Sequence, residues 1–128
     1  MAIISHRLTY ADLQQMPDDG KRYEIIDGEL YVQGGGFGLG MSPAPSIVHQ
    51  EAAGNLAAFL RRAREAGFGR EYFAPCDVVL DSENVVQPDL MFIAASRLSI
   101  VGKDAIQGPP DLVVEILSPS SRERDLGH

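Results

Sequence analysis

The sequence predicts one domain of the α/β (α+β) class spanning residues 1–128, on three observations. Its composition, with 45% hydrophobic residues, 13 glycines and 8 prolines, is typical of a globular chain with a single core. One long segment, from about Ile47 to Ala66, has the periodicity and end signals of an α-helix. Several short apolar runs bounded by Gly, Pro and Asp are typical of β-strands.

The chain is acidic, with 11 Lys and Arg against 18 Asp and Glu and a formal net charge of -7. Such a surface does not bind nucleic acid non-specifically, so a phosphate-bearing partner requires a basic patch or bridging metal ions. The lone cysteine, Cys76, excludes an internal disulfide and a multi-cysteine zinc site. Because no apolar run approaches the ~18 residues of a membrane span, we expect a cytoplasmic protein that contacts no membrane.

The N-terminal part predicts a short helix followed by a β-hairpin. Thr9 and Asp12 have the spacing of a capping box for a helix over Tyr10 to Met16. Asp27-Gly28, between two strand-like runs, is the strongest short-range hairpin signal. On the first of these strands Glu24 lies on a face that allows partial burial, although an exposed hairpin acid is the commoner arrangement.

A glycine-rich segment, Gly34 to Gly40, follows the hairpin and contains a G-x-G pattern. Met-Ser-Pro-Ala-Pro comes next instead of a helix, and a nucleotide-phosphate loop requires a helix N-terminus to hold the anion. We therefore expect a flexible flap that can close over a site.

The long helix has its own start and stop signals, with Ser46 as N-cap and Gly67 as the stop. An apolar stripe at helical spacing predicts the face that packs on the core. The stripe consists of Val48, Ala52, Leu56, Phe59 and Ala63. Near the end of the helix, Arg61, Arg62 and Arg64 predict a phosphate-contacting patch or, more commonly, a solvated face that complements the helix dipole.

The next region predicts two strands joined by a turn, over Glu71 to Leu80 and Val85 to Ile93. Pro88, inside the second run, indicates an edge or the point where pairing begins, because proline has no N–H to donate. Ser96 to Lys103 predicts a turn of helix.

Two segments each begin with Pro-Asp and continue into an apolar run. They are Gln87-Pro-Asp-Leu-Met-Phe-Ile93 and Pro110-Asp-Leu-Val-Val-Glu-Ile-Leu-Ser-Pro-Ser120. The second run reads as a buried strand with Glu115 in its middle. An unpaired carboxylate there would cost several kcal/mol, so Glu115 must face a partner, a metal ion or a water-filled cleft.

If these two strands pair, Asp89 and Glu115 lie side by side, because neighbouring strands are about 4.8 Å apart. Two such carboxylates can share a hard cation such as Mg²⁺ or Mn²⁺, with water and a substrate phosphate completing the shell. Two alternatives to a metal site remain. Paired acids on strands are more often structural ion pairs or caps, and they can also act as general acid and base in the hydrolysis of another substrate.

Five elements occur in order along the chain. They are Tyr-Glu-Ile-Ile-Asp-Gly-Glu-Leu, Met-Ser-Pro-Ala-Pro-Ser-x-x-His-Gln, Ala-Pro-x-Asp-Val-x-Leu, Gln-Pro-Asp-Leu and Pro-Asp-Leu-Val-Val-Glu-Ile-Leu-Ser-Pro-Ser. This set resembles the Uma-two family of the restriction endonuclease-like superfamily, whose signature is PD-(D/E)xK. The resemblance runs from about Leu8 to the end and implies a mixed β-sheet flanked by helices in a restriction endonuclease-like core.

The resemblance also implies an Mg²⁺-dependent (or Mn²⁺-dependent) endonuclease that hydrolyses DNA phosphodiester bonds. Asp89 matches the signature Asp and Glu115 the signature acid, both as metal ligands, with the Ile116 carbonyl as a further ligand. Glu24 matches the acidic residue of the family's first hairpin, as a supporting ligand or water-orienting group. His49 matches a histidine of the family, for which we expect a polar contact near the helix start.

Two departures from the family pattern bear on activity. Leu117 stands where the signature lysine would, and a leucine cannot stabilise an oxyanion. In the family a lysine comes from the next helix, beyond an Asp that Asp125 matches, but here the helix predicted from Arg122 reaches only His128. The sequence thus predicts a C-terminally truncated member with an exposed sheet edge that forms a homodimer. A non-catalytic relative used for binding or assembly is the alternative.

Overall fold

The computed structural model describes residues 6–33 and 46–117, which contain helices and strands as the sequence predicts. The helices are α1 (Tyr10–Gln14) and α2 (Ile47–Glu65), with a 3₁₀ helix at Ala95–Ile100. The strands are β1 (Arg22–Ile26), β2 (Glu29–Gln33), β3 (Gly69–Phe73), β4 (Asp77–Asp81), β5 (Asn84–Val86), β6 (Leu90–Ala94), β7 (Ala105–Ile106) and β8 (Leu112–Val114). The flap expected at Gly34 to Gly40 and the helix expected from Arg122 lie outside the described residues.

The described residues form two compact units. The first contains residues 6–33, 75–87 and 100–109, and the second contains 46–74, 88–99 and 110–117. That both units belong to one domain of residues 1–128 stays a prediction. Among the described residues, none of the helices combines the length and hydropathy that crossing a membrane requires.

The first unit is built on a five-stranded sheet with the order β2-β1-β5-β4-β7. Its pairs are antiparallel except β4 with β7, which run parallel. The core of the unit consists of Ile25, Val78, Val85, Ala105 and Ile106. β7 was not predicted, because two residues are too few to show an alternating pattern.

The hairpin between β1 and β2 forms at the predicted turn. Ile26 pairs with Glu29, which leaves Asp27 and Gly28 as a two-residue loop with φ of 50° and 76°. Positive φ at both positions is the geometry of a type I′ turn, whose twist matches that of the flanking strands. The Asp-Gly signal is therefore confirmed.

The predicted capping box opens α1. The Thr9 hydroxyl accepts the Asp12 N–H, and the Asp12 carboxylate accepts the Thr9 N–H at 2.9 Å. The helix ends at Gln14, two residues before the predicted end at Met16.

The second unit pairs α2 with a three-stranded antiparallel sheet of order β3-β6-β8. The helix contacts β3 and β6. The buried apolar residues of this unit are Leu60, Leu90, Met91 and Ile93. β8 lies at the edge of this sheet within the described part of the chain, and its Leu112 and Val113 are exposed.

Both ends of α2 follow the sequence signals. The Ser46 hydroxyl accepts the His49 N–H at 3.0 Å. At the other end the Gly67 N–H donates to the Arg64 carbonyl, and the Phe68 N–H donates to the Ala63 carbonyl. With Gly67 at a φ of 87°, these bonds form a Schellman motif, which satisfies carbonyls that the helix leaves unpaired.

The packing face of α2 differs from the predicted stripe by one residue, or about 100° around the helix. Val48 and Phe59 of the stripe are 76% and 65% exposed. The residues that face inward, with Leu60 buried and the others half-buried, are His49, Ala53, Ala57, Leu60 and Arg64. The small alanines let the helix approach the sheet closely, and the polar residues of this face have partners there. A prediction from large apolar residues alone therefore selected the wrong face.

The two long predicted strands are each divided in two. Glu71 to Leu80 becomes β3 and β4, separated around Pro75, and Val85 to Ile93 becomes β5 and β6, separated at Pro88. Each half pairs in a different sheet. Proline lacks the N–H that a continuous ladder requires, so the inference that pairing begins at Pro88 is confirmed and the unbroken strands are corrected.

Candidate metal centre

The two Pro-Asp strands pair, as the sequence analysis required for a shared site. β6 and β8 are antiparallel, with Leu90 opposite Val114, Met91 opposite Val113 and Phe92 opposite Leu112. Extending this register by one residue places Asp89 opposite Glu115, directly beyond the ends of their strands. Both acids belong to the second unit.

Each Pro-Asp aspartate also clamps the opposite strand, and this explains why the motif occurs twice. Asp89 Oδ2 accepts the Ile116 N–H at 2.7 Å, just after β8. Asp111 Oδ2 accepts the Ala94 N–H at 2.7 Å, at the end of β6. The two bonds are equivalent under the approximate two-fold symmetry of an antiparallel pair.

Asp111 and Asp89 differ in what else surrounds them. The Arg97 guanidinium lies 3.0 Å from Asp111 Oδ2. The Ala94 N–H, together with this guanidinium, holds the pKa of Asp111 below its usual value. Asp111 is therefore a structural acid paired with a cation, whereas Asp89 lies beside a histidine and a second carboxylate position.

Asp89 has a side chain that is only 12% exposed, and His49 is its neighbour from α2. His49 Nε2 lies 3.8 Å from Asp89 Oδ2, which is beyond hydrogen-bond distance. The imidazole of His49, in the first turn of α2, is nevertheless within ion-pair distance of Asp89 and so lies beside the candidate site. The polar contact expected near the helix start stays a prediction.

Glu115 is not the buried mid-strand acid that the sequence predicted. β8 ends at Val114, and Glu115 is exposed. The apolar run was interpreted as a fully covered strand, but β8 lies at a sheet edge in the described residues and its own side chains are exposed as well. Glu115 is therefore not desolvated, and burial does not require it to have a metal ion or a partner. Its register position opposite Asp89 is unchanged.

Glu24 lies in the first unit and is buried, at 5% exposure, so the exposed arrangement is wrong. Glu24 Oε2 accepts the Gln87 N–H at 2.6 Å. The Gln87 side chain donates to Asp77 at 2.7 Å and accepts from Arg22, which also donates to the Gln87 carbonyl. Burial of a carboxylate is acceptable here because an N–H donor satisfies it. Its assignment to the same cation as Asp89 stays a prediction.

Gln87 is the residue whose role sequence reasoning missed. It stands in the Gln-Pro-Asp element, directly before Pro88, and takes part in four hydrogen bonds with Glu24, Asp77 and Arg22. A glutamine next to a strand-breaking proline was the only available signal, since its partners are far away in sequence.

The arginine cluster of α2 is largely engaged with an acid. Arg61 Nε lies 2.7 Å from Glu71 Oε2, and Arg64 Nη1 lies 3.2 Å from Glu71 Oε1. Glu71, on β3, is buried. Two of the three arginines thus neutralise a buried carboxylate, while Arg61 and Arg62 are also exposed, as a solvated face requires. A phosphate-contacting role stays a prediction.

The donors around Asp89 fit part of a cation site. Within residues 6–33 and 46–117, no three His, Cys, Asp or Glu side chains form a group that could hold a metal ion. Asp89, with Glu115 next in register, nevertheless offers the oxygen ligands that a hard cation prefers when water and phosphate complete its shell. Leu117 is exposed and offers no charge, and Asp125 lies outside the described residues.

The second unit pairs its two Pro-Asp strands within a mixed α/β fold, and a solved structure shares this fold. The chain belongs to the Uma2 family, described as "Putative restriction endonuclease", whose model matches residues 10–128. This is the family that the five sequence elements resemble.

The fold is also found among solved structures. One of them is the crystal structure of "a putative nuclease belonging to DUF820" from Anabaena variabilis ATCC 29413, with a TM-score of 0.69 and 17% sequence identity. The match covers 94% of this chain and 64% of that chain, so this chain spans less than two thirds of its neighbour's length. No curated protein matches the chain significantly.

Proposed function

We propose that the protein is a metal-dependent endonuclease domain that hydrolyses DNA phosphodiester bonds, with Mg²⁺ or Mn²⁺ as the cation. The observation that carries the proposal is the orientation of Asp89, whose carboxylate is held by the Ile116 N–H at the position opposite Glu115. Family membership supports the nuclease class. A cytoplasmic location and a homodimer are part of the same proposal.

In this proposal Asp89 and Glu115 are the carboxylate ligands, and the Ile116 carbonyl is a further oxygen ligand. The Ile116 N–H restricts rotation of the Asp89 carboxylate, and Glu115 lies opposite Asp89 in the extended register. Glu24 is a supporting ligand or orients the attacking water. When bound, the cation lowers the pKa of a coordinated water and neutralises charge that develops on phosphorus.

The test compares two aspartates that make the same clamp. Asp89→Asn and Asp111→Asn both keep an oxygen acceptor for the opposite N–H, but only the first removes a proposed metal ligand. Nicking of plasmid DNA with Mg²⁺ or Mn²⁺ should fall at least about 100-fold in Asp89→Asn, because the cation contributes several kcal/mol to catalysis. Asp111→Asn should retain the wild-type rate once its folding is confirmed. Cleavage that survives unchanged in Asp89→Asn would overturn the proposal.

A binding or assembly module is the second candidate, and Leu117 at the lysine position favours it, together with the net charge of -7. This reading predicts a wild-type chain that binds DNA or a protein partner without cleaving DNA. DNA affinity should be measured at about 50 and 200 mM salt. A steep loss of affinity at the higher salt indicates phosphate contacts and hence DNA as the partner, whereas a protein partner is indicated if DNA does not bind in this way.

A further inference from the structure

We propose that His49 is a nitrogen ligand of the cation at Asp89, so that the centre selects a transition ion such as Mn²⁺ or Co²⁺ over Mg²⁺. This inference rests on the proposed function, because it assumes that Asp89 binds a metal ion. It adds a ligand outside the signature acids and assigns an ion preference to the site.

The distance between His49 and Asp89 fits a shared cation. His49 Nε2 and Asp89 Oδ2 are 3.8 Å apart, too far for a direct hydrogen bond. Two ligand atoms that each lie about 2.1 Å from one cation, at adjacent positions of its shell, are roughly 3.0–3.4 Å apart. The two side chains therefore need to approach by less than ~1 Å, which a small change in side-chain torsion supplies.

The position of His49 on α2 also favours a ligand role. It belongs to the helix face that packs inward, where an apolar residue would be the ordinary choice. Its backbone N–H is satisfied by the Ser46 hydroxyl, which holds the first turn of the helix in place. The imidazole, 20% exposed, thus approaches Asp89 from a rigid element and remains reachable by solvent.

The chemistry of the two donors favours a transition ion. A carboxylate and an imidazole form a mixed oxygen and nitrogen set, and imidazole binds transition ions far better than it binds Mg²⁺. The Asp89 oxygen that faces His49 also accepts the Ile116 N–H, and this fixes its direction. Two carboxylates alone bind whichever suitable divalent ion is most available, whereas an added imidazole ligand favours a transition ion over Mg²⁺.

Metal binding to the whole chain tests the inference without relying on cleavage. Titration calorimetry with Co²⁺, Mn²⁺ and Mg²⁺ should show that His49→Ala weakens Co²⁺ and Mn²⁺ binding at least about tenfold, with Mg²⁺ changed less than about threefold. The Mn²⁺-loaded wild type should also show nitrogen couplings in its electron paramagnetic resonance spectrum, and His49→Ala should lose them.

His6→Ala is the matched control, because His6 is also a histidine beside an aspartate, with Nε2 3.3 Å from Asp12 Oδ2 in the first unit. It should leave all three affinities unchanged. If Asp89→Asn abolishes binding of every ion while His49→Ala leaves the Co²⁺ to Mg²⁺ ratio unchanged, the role of His49 is overturned and the metal site stands. If neither variant alters binding, the metal site fails and the inference fails with it.

Discussion

Glu71 is the buried acid whose environment the structure explains most fully. Burial by itself would raise the pKa of Glu71, but a hydrogen bond from its own backbone N–H and the ion pairs with Arg64 and Arg61 outweigh burial and lower it. A carboxyl whose pKa is lower in the folded than in the unfolded chain stabilises the fold above its unfolded pKa, about 4.3. That contribution is lost as the pH falls through the folded pKa.

We therefore expect Glu71→Gln to lower the free energy of unfolding by about 2–4 kcal/mol near pH 7, since it leaves two arginines without their carboxylate. The difference from wild type should shrink at acid pH, as the pH falls through the lowered pKa of Glu71 and the wild-type carboxyl becomes protonated. Urea unfolding at the two pH values measures both effects.

Glu65→Gln is the control for this prediction, because Glu65 is an exposed acid at the end of α2. It should change stability by no more than about 0.5 kcal/mol. A loss in Glu71→Gln that stayed constant down to low pH would show that packing, not charge, is responsible.

The sequence identified the acids of the candidate site but misjudged which acid is buried. Glu115 stands in an apolar run and is exposed, while Glu71 stands in an ordinary strand and is buried. Burial depends on which face another element covers, and for Glu71 the covering element is α2. The two arginines that neutralise it are seven and ten residues away on that helix, so local spacing could not have paired them.

At the scale of elements, glycine has opposite effects in the β1–β2 turn and in α2. Gly28 has a φ of 76°, and a Cβ there would lie 2.9 Å from the Arg7 Cβ. Gly28→Ala should therefore lower the free energy of unfolding by about 1–3 kcal/mol, from both backbone strain and crowding. Thermal or urea unfolding followed by circular dichroism measures the loss.

Gly54 provides a comparison of opposite sign. It lies inside α2, and a Cβ built there meets nothing within 4 Å. Gly54→Ala should raise the free energy of unfolding by about 0.5–1 kcal/mol, because alanine loses less conformational entropy in a helix. Equal effects of the two substitutions would refute the assignment of the turn geometry.

Local signals predicted the ends of elements better than their faces. The caps Thr9, Ser46 and Gly67 and the Asp27-Gly28 turn all lie where the sequence placed them, because each depends on a few adjacent residues. The packing face of α2 depends on tertiary contacts. His49 and Arg64 lie on that face, where an apolar pattern predicts no polar residue. The same shift brings His49 to the inward face of the helix, beside Asp89.

At the scale of the whole molecule, the displaced stripe has a consequence for assembly. Val48, Leu56 and Phe59 are exposed on one side of α2, and exposed apolar patches of this kind mark interfaces. If the proposed homodimer uses this surface, Phe59→Ser should raise the dimer dissociation constant at least about tenfold. Light scattering coupled to gel filtration over a range of concentrations measures it.

Phe73→Ser is the matched control, since Phe73 is an equally exposed phenylalanine at the end of β3. It should leave the dissociation constant as in wild type. A monomeric wild-type chain at all concentrations would contradict the dimer itself.

The class and family of the whole chain were predictable because five short elements agree in order, and the family match confirms them. The division of the described residues into two units was not predicted. The Pro75 and Pro88 breaks send consecutive strands to different sheets, and a sequence pattern shows where pairing stops without showing which strand is the next partner.

The clamp between Asp89 and Ile116 has a final consequence, for the entropy of binding. A free aspartate at a surface samples several rotamers, and a ligand that fixes it loses up to about 1 kcal/mol of affinity. Here the Ile116 N–H fixes the carboxylate during folding, so a bound ion meets a side chain that is already ordered. Because the N–H belongs to the residue after Glu115, the same bond also limits the motion of the chain that carries the second acid. Asp89 is thus preorganised by the strand that it is proposed to work with.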